Sequence, residues 1–398
     1  MKYKYTNISI IFLSILSYTN YTIGGEKEIS NKPHEVTKSK TKFGNLNHRS
    51  TDEIDSHHNA QKSSNSPKKT SPKNYTVIIM SDPQAWRLDY GDPNNKTNKV
   101  LWLKKNKKVA KAIKSQKPTF YIVNGDLTEF GRIETYEDYT NTYKNLGSPV
   151  YEGLGNHDYA NNIGYCIIPE DKNSSGDACA IDAVSRMIKE IKKYEDELPH
   201  FNQDITEVTN PSNKSVRSIE GSFGYSWDYG DIHYVQLHNY PTYTVNLKQR
   251  DMIIHVKSSL DWLKKDLAAA DARGKITVIN FHDAKAFFPN NSSHFINPQN
   301  AQSLSVFKSI ITSHNVKAIF VGHRHFQTYC RAQDDKVFGN IPVYTSGALF
   351  RGDYYHITVQ GKNIHVKAYN GITGKPTLIE DLGMIGTNIE FFESCSNL

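Results

Sequence analysis

Five apolar stretches of strand length in this 398-residue chain break into a loop on an acid, an amide or a histidine. Residues 75–80 run into Ser81-Asp82-Pro83-Gln84, residues 119–123 into Asn124-Gly125-Asp126, and 149–151 into Gly155-Asn156-His157-Asp158. Residues 276–281 end at His282-Asp283, and 318–321 at Gly322-His323-Arg324-His325. Runs this short and this rich in β-branched and aromatic residues read as buried strands. Helical patterns over 98–115, 133–146 and 301–313 separate them, the first with a lysine-rich outer face that reads as solvated. Strand alternating with helix predicts parallel pairing under a cover of helices. In such sheets the carboxyl ends of the strands open on one crevice. The expected architecture is α/β, two facing sheets sandwiched by helices.

Other stretches break this rhythm. Residues 159–222 read as an insertion over the carboxyl edge, with a helix near 182–198. The runs 223–229 and 232–237 meet at Gly230-Asp231 as a hairpin. A helix is expected over 251–270, and three short strands at 343–344, 356–359 and 364–368.

The formal charge of +7 invites a nucleic-acid reading, but its location opposes one. Residues 25–74 hold ten Lys/Arg against six Asp/Glu, and Lys2 with Lys4 add two charges, which leaves about +1 after Asn74. No specific nucleic-acid binding is expected. Residues 1–24 pair those lysines with the apolar run 8–16, the layout of a secretory signal peptide, and the run falls short of the roughly 20 residues a membrane-spanning helix needs. A secreted or periplasmic location follows, with no transmembrane span. Residues 25–73 are too polar to offset their ordering entropy and read as a disordered linker, leaving 74–398 as one folded domain. Four cysteines suit an exported chain. Three pairings exist in principle, and spacing favours Cys166–Cys179 as a local staple and Cys330–Cys395 as a tie for the C-terminus.

The polar residues at the strand ends are Asp82, Gln84, Asp126, Asn156, His157, His282, His323 and His325. Carboxylates, imidazoles and amide oxygens are a ligand set for two borderline divalent ions, Zn, Mn or Fe. Such a pair orients a phosphate, activates water and stabilises both apical oxygens of an in-line displacement. Neither a GxxxxGK[ST] loop nor a GxSxG elbow is present.

Taken in order over about residues 75–370, these five motifs resemble the calcineurin-like metallophosphoesterase superfamily. The resemblance implies a four-layer α/β/β/α sandwich and a binuclear phosphoric ester hydrolase. It places Asp82 and His325 on metal one, Asn156, His282 and His323 on metal two, and Asp126 between both. It makes His157 the residue that faces the substrate and protonates the leaving oxygen, with Asp158 hydrogen-bonded to His157 to fix its orientation. Gln84 departs from the Asp-x-His usual at the first motif, and either coordinates metal one through its amide oxygen or leaves that position to water. His238 competes with His282 for metal two, and otherwise lines the pocket or caps a loop. Trp86, Tyr159, Tyr225, Trp227, Tyr240 and Tyr243 are candidates to shape a pocket for a phosphate-ester substrate, monoester or diester. Alternatives are a phospholipid head-group phosphodiesterase similar to acid sphingomyelinases, and a non-catalytic metal-binding adhesion protein.

Overall fold

The strands appear in two main sheets whose carboxyl ends meet. The structure, a computed structural model, describes residues 72–90, 96–164, 176–209, 215–249, 251–284, 294–386 and 395–396. All of them fall within one compact unit, Pro67–Leu398. In chain order the elements are β1 (Asn74–Met80), α1 (Lys96–Ser115), β2 (Phe120–Val123), α2 (Ile133–Tyr143), β3 (Val150–Glu152), α3 (Ala178–Glu197), β4 (Asn202–Gln203), β5 (Thr206–Thr209) and β6 (Arg217–Gly221). They continue with β7 (Tyr225–Tyr229), β8 (Ile232–Gln236), β9 (Val245–Gln249), β10 (Met252–Val256), α4 (Leu260–Ala272), β11 (Ile276–Asn280), α5 (Ala301–Thr312) and β12 (Val316–Val321). The chain closes with β13 (Gln327–Cys330), β14 (Val343–Ser346), β15 (Asp353–Gln360), β16 (Asn363–Asn370) and β17 (Thr377–Met384).

The first sheet has the order β17-β16-β15-β1-β2-β3, and the second β13-β14-β12-β11-β8-β7-β4. β1, β2 and β3 run parallel, as do β8, β11, β12 and β14, so the chemistry-bearing loops of each sheet leave on the same side. Aromatic side chains hold the sheets face to face. The Phe120 ring lies 5.3 Å from Tyr234 and 6.1 Å from Trp227, and Phe320 lies 6.0 Å from Tyr355. The hydroxyls of Tyr75 and Tyr234 share a hydrogen bond of 3.0 Å across the interface. Each such side chain, fully buried, contributes about 1.5–3 kcal/mol relative to leaving it in water. α1 and α2 cover the outer face of the first sheet, where Trp102 packs edge-on against Tyr143 and donates its indole N–H to the Pro83 carbonyl. α4 and α5 cover the second through Leu263, Leu267, Phe307 and Ile311. These layers are the expected α/β/β/α stack.

Two expectations change. Residues 251–270 are not one helix. Met252–Val256 is a strand paired with β9 and β6, and α4 starts only at Leu260. The run Met252-Ile253-Ile254-His255-Val256 is β-branched and half-buried, so it fits a pleated surface better than a helix. With β5, β6 and β9 it builds a third sheet, β5-β6-β10-β9, which the strand pattern of the sequence does not announce. The described part of 159–222 begins against the third motif loop, where the Asn162 amide donates to the His157 and Asp158 carbonyls. Further along, β4 pairs with β7 and α3 packs beside β3 through Tyr194 and Tyr151. An open strand edge exposes unpaired backbone groups, and on β3 the Tyr194 hydroxyl donates to one of them, the Val150 carbonyl. The Gly230-Asp231 hairpin is present, with Gly230 at φ +59° between β7 and β8. Cys330 and Cys395 form a disulfide. The Cys166–Cys179 expectation falls on Cys166, outside the described residues, as do the tail and leader. Among the described residues no helix is long and apolar enough to cross a membrane.

Candidate metal centre

The backbone bends sharply where the donors leave the strands. Asp82, Gln84, Asp126, His323 and His325 all have positive φ, at +56°, +33°, +51°, +69° and +57°. Non-glycine residues adopt that region at a cost of roughly 1–3 kcal/mol each and persist there only when surrounding contacts impose it. Those contacts are backbone hydrogen bonds among the motif loops: within the first sheet Asp82 to the Gly125 carbonyl and Gln84 to the Asp126 carbonyl, within the second Gly322 to the His282 carbonyl, and between the sheets Leu349 to the Ser81 carbonyl. Two glycines allow the approach. A Cβ on Gly155 would sit 2.3 Å from Asp126 Oδ1, and one on Gly322 would sit 1.8 Å from Ser81 Oγ.

The result is two donor groups that share one carboxylate. Ligand atoms of Asp126, His282 and His323 lie within 4.8 Å of one another, and so do those of Asp82, Asp126 and His325. Asn156 Oδ1 stands 3.1 Å from His282 Nε2 and 3.0 Å from His323 Nδ1, inside the first group. Gln84 belongs beside the second, its amide nitrogen 3.2 Å from Asp126 Oδ2. The structure thus brings Asp82, Gln84, Asp126, Asn156, His282, His323 and His325 together, all buried or nearly so.

This donor set fits divalent cations for a reason visible in its hydrogen bonds. His282 Nδ1 is 2.7 Å from the Asn124 carbonyl, which takes its N–H. Its Nε2 then faces two oxygens, Asp126 Oδ2 at 3.2 Å and Asn156 Oδ1 at 3.1 Å. A lone pair turned on two acceptors is repelled unless a cation or proton lies among them. Asp82 Oδ1 and Gln84 Oε1 are buried without a hydrogen-bond donor, a cost of about 1–3 kcal/mol each that a bound cation removes. Electrostatics carry the same demand. Burial works against a charge on His282, yet Asp126 and Asp82 hold its pKa up to about 10. Burial likewise opposes the Asp126 charge, and His282 and His157 hold that carboxyl below the usual range.

His157 is the least buried member, and its orientation corrects one expectation. Asp158 does not hydrogen-bond the His157 ring. Its carboxylate accepts from the backbone N–H of Leu127, Thr128 and Gly155 and from the Thr128 hydroxyl, at 2.8–3.1 Å, and so clamps the two motif loops together. Burial, with the nearby charge of Asp126, pushes Asp158 up to about 7. The residue that orients the imidazole is Glu129, whose carbonyl lies 3.1 Å from His157 Nδ1 and whose carboxylate Oε1 lies at 3.5 Å. Arg87 grips the same carboxylate oxygen at 2.8 Å, and burial raises the Glu129 pKa. The His157 backbone N–H meanwhile donates to Asp126 Oδ1 at 2.8 Å. The only hint of Glu129 in the sequence is an acid three residues beyond Asp126.

His238 is no ligand in this arrangement. Its Nδ1 accepts the Leu154 N–H at 3.1 Å and its Nε2 donates to the Phe223 carbonyl at 2.5 Å, so both nitrogens cap loops. Burial pushes its pKa down to about 4, in keeping with a neutral ring. Of the six candidate pocket aromatics, Trp86, Tyr159, Tyr225 and Trp227 are buried, and Tyr225 and Trp227 belong to the inter-sheet core. A further group has no motif to signal it. Asp283 and His294 lie next to His323, with ligand atoms within 4.8 Å, and Asp283 Oδ2 is 3.1 Å from His294 Nδ1.

Residues 75–327 match the family model described as calcineurin-like phosphoesterase. No curated protein matches the chain. Among solved structures it is similar to a dimetal phosphatase from Danio rerio, at 13% identity and a TM-score of 0.44, over 77% of this chain and 99% of that one. It is similar to GAP50, the anchor in the inner membrane complex of Plasmodium, at 10% identity and a TM-score of 0.42, over 82% and 93% of the two chains. A metallophosphoesterase from Sphaerobacter thermophilus has 12% identity and a TM-score of 0.29, over 78% and 89%.

Proposed function

The chain belongs to the calcineurin-like phosphoesterase family and is a metal-dependent phosphoester hydrolase, and from that premise we propose an exported binuclear enzyme in which Asp126 joins two metal subsites and His157 serves the substrate. The observation that carries this reading is the sharing of Asp126 by two separate groups of histidine and carboxylate donors. Asp82, Gln84 and His325 would complete one subsite, and Asn156, His282 and His323 the other. Two divalent ions held there supply an activated water and neutralise the phosphoryl oxygens.

This chain's own residues then do the positioning. Asn124 accepts the His282 Nδ1–H, which leaves Nε2 for ligation. Asp158 fixes the loop that carries Asn156 and His157 against the loop that carries Asp126. Glu129 holds His157 Nδ1, so that Nε2 is the nitrogen offered to the phosphoryl group and the leaving oxygen. Export is supported by the Cys330–Cys395 disulfide, a bond that persists in oxidising compartments. In the same reading residues 1–24 are a removable leader and 25–73 a linker to the domain at 74–398.

Hydrolysis of para-nitrophenyl phosphate and of its bis-ester, with Mn, Zn or Fe supplied, tests the proposal and separates monoesterase from diesterase. His157→Ala is expected to lower turnover by about 10²–10⁴ with metal content unchanged. Turnover equal to the parent would remove the role given to His157. Absence of hydrolysis of every ester, in protein shown to hold two metals, would favour a binding role.

A further inference from the structure

The lysine-rich face of α1, which reads from sequence as simply solvated, is not uniform. Lys104, Lys105 and Lys108 stand on the rim of a cavity of about 320 Å³, within the size range of small-molecule sites. Its apolar lining comes from Leu88, Leu101 and Ile372, with Tyr90 beside them. Leu101 is 40% exposed and Tyr90 75% exposed, so apolar and aromatic surface here faces solvent.

The charges around the cavity do not balance. Among the described residues that line it the one carboxylate, Asp89, is already engaged by the Arg351 guanidinium at 2.5 Å and lies 3.9 Å from Lys105 Nζ. No described residue makes an ion pair or hydrogen bond with the ammonium group of Lys104 or Lys108. These two stand at i and i+4 on one helix face, where like charges repel and destabilise a helix by about 0.2–0.5 kcal/mol. An anion between them would reverse that sign.

We propose that this cavity binds a small organic anion. Its acidic group sits among the ammonium groups of Lys104, Lys105 and Lys108, and its flat apolar body rests on Leu101, Ile372 and Tyr90. The site is distinct from the metal centre, and one link between them runs through Asp89 and Arg351, whose Nη1 donates to the His325 carbonyl at 3.1 Å. Nothing in the proposal depends on the catalytic assignment of His157 or on the number of metals bound.

The test is calorimetric titration of the full-length, metal-loaded protein with 2-naphthalenesulfonate, an aromatic anion with no phosphoester bond to cleave. One saturable site is expected, at least about tenfold weaker for methanesulfonate, which lacks the apolar body, and for 2-naphthol, which lacks the acid. The double variant K104E/K108E is expected to weaken binding at least tenfold while still hydrolysing para-nitrophenyl phosphate. The neutral pair K104Q/K108Q should move in the same direction and covers the case in which charge reversal impairs folding. No saturable binding up to millimolar probe would overturn the proposal. So would unchanged affinity in both double variants. Displacement of the probe by inorganic phosphate together with its loss on metal removal would place it at the metal centre and reject the cavity.

Discussion

Two of the described histidines, His233 and His282, are fully buried against carboxylates, and their surroundings are built on opposite principles. At His233, on β8, Nδ1 lies 2.7 Å from Asp228 and Nε2 lies 2.8 Å from Asp266. Both nitrogens must donate, so the ring is an imidazolium. Arg273 forks onto Asp228 at 2.9 and 3.0 Å, and Asp266 also accepts from Asn202 and Ser226. Two positive and two negative groups cancel. At the metal centre His282 gives one N–H to a carbonyl and turns its other nitrogen on oxygens, while Asp82 Oδ1, 3.2 Å from His325 Nε2, and Gln84 Oε1 are buried without a hydrogen bond. The backbone is regular around His233, which sits in the middle of a strand, and left-handed at five donors of the metal centre. A buried His–Asp contact therefore does not mark a metal site. Unbalanced charge and orphaned acceptors on a strained backbone together do, because a cation settles the first two and the strain shows that the donors are held in place by the loops around them.

The comparison can be broken by removing the shared carboxylate. Asp126→Asn is expected to cost more turnover than the about 10²–10⁴ typical of losing a general acid, because both subsites lose a ligand. Metal analysis should show less than two equivalents, and a chelator that lowers the melting temperature of the parent should leave the variant unmoved. Two retained equivalents would mean that Asp126 does not join the subsites.

The opposite variant is His233→Leu, which leaves Asp266 buried without its cation and Asp228 with Arg273 alone. Breaking such a cluster from one side costs about 3–5 kcal/mol. Denaturant unfolding should show that loss, while metal content and turnover of the folded fraction stay at parental values. A drop in metal content would show that the two regions are not independent.

The same variant sharpens the contrast through pH. Burial opposes protonation of His233, but Asp228 and Asp266 raise its pKa. Its stabilisation is complete below its unfolded value of about 6.5 and fades as pH rises through the raised folded value. Burial also opposes the Asp228 charge, yet His233 and Arg273 bring that carboxyl down to about 2. Its stabilisation is complete above about 3.9 and fades as pH falls toward 2. The stability gap between parent and His233→Leu should be widest from about pH 4 to 6.5 and narrow on both sides. A gap independent of pH would refute the charged pairing.

The smallest expected effect belongs to Gln84→His, which restores an imidazole to the first subsite. Tighter binding of one metal equivalent, by about tenfold or less, with little change in the other, is the expected result of a metal titration. No change in either would mean that Gln84 is not a ligand.

Much of the centre is legible in the amino-acid sequence. Asp82, Asp126, Asn156, His282, His323 and His325 each end a strand-length apolar run, and parallel strands bring such ends to one side whatever their spacing. The layered fold follows from the same alternation. Local pattern misleads where it is taken without its neighbours. Residues 252–256 look helical beside Leu260, and form a strand because β6 and β9 are there to pair with them. His238 stands at a strand end like a ligand, yet Leu154 and Phe223 consume both its nitrogens.

By itself, then, the sequence determined the donor set, its order and its convergence, since these depend on strand polarity and residue type alone. Only the tertiary structure decided which residue orients His157. Asp158 is adjacent in the chain, but its oxygens are taken by the N–H groups of Leu127, Thr128 and Gly155, and Glu129 reaches the ring from the neighbouring loop. It also decided that His233 is sealed within a neutral cluster while His282 is not. Those outcomes depend on contacts between segments tens to hundreds of residues apart, fixed by how the sheets dock and by which buried acceptors find a donor, and no spacing along the chain encodes them.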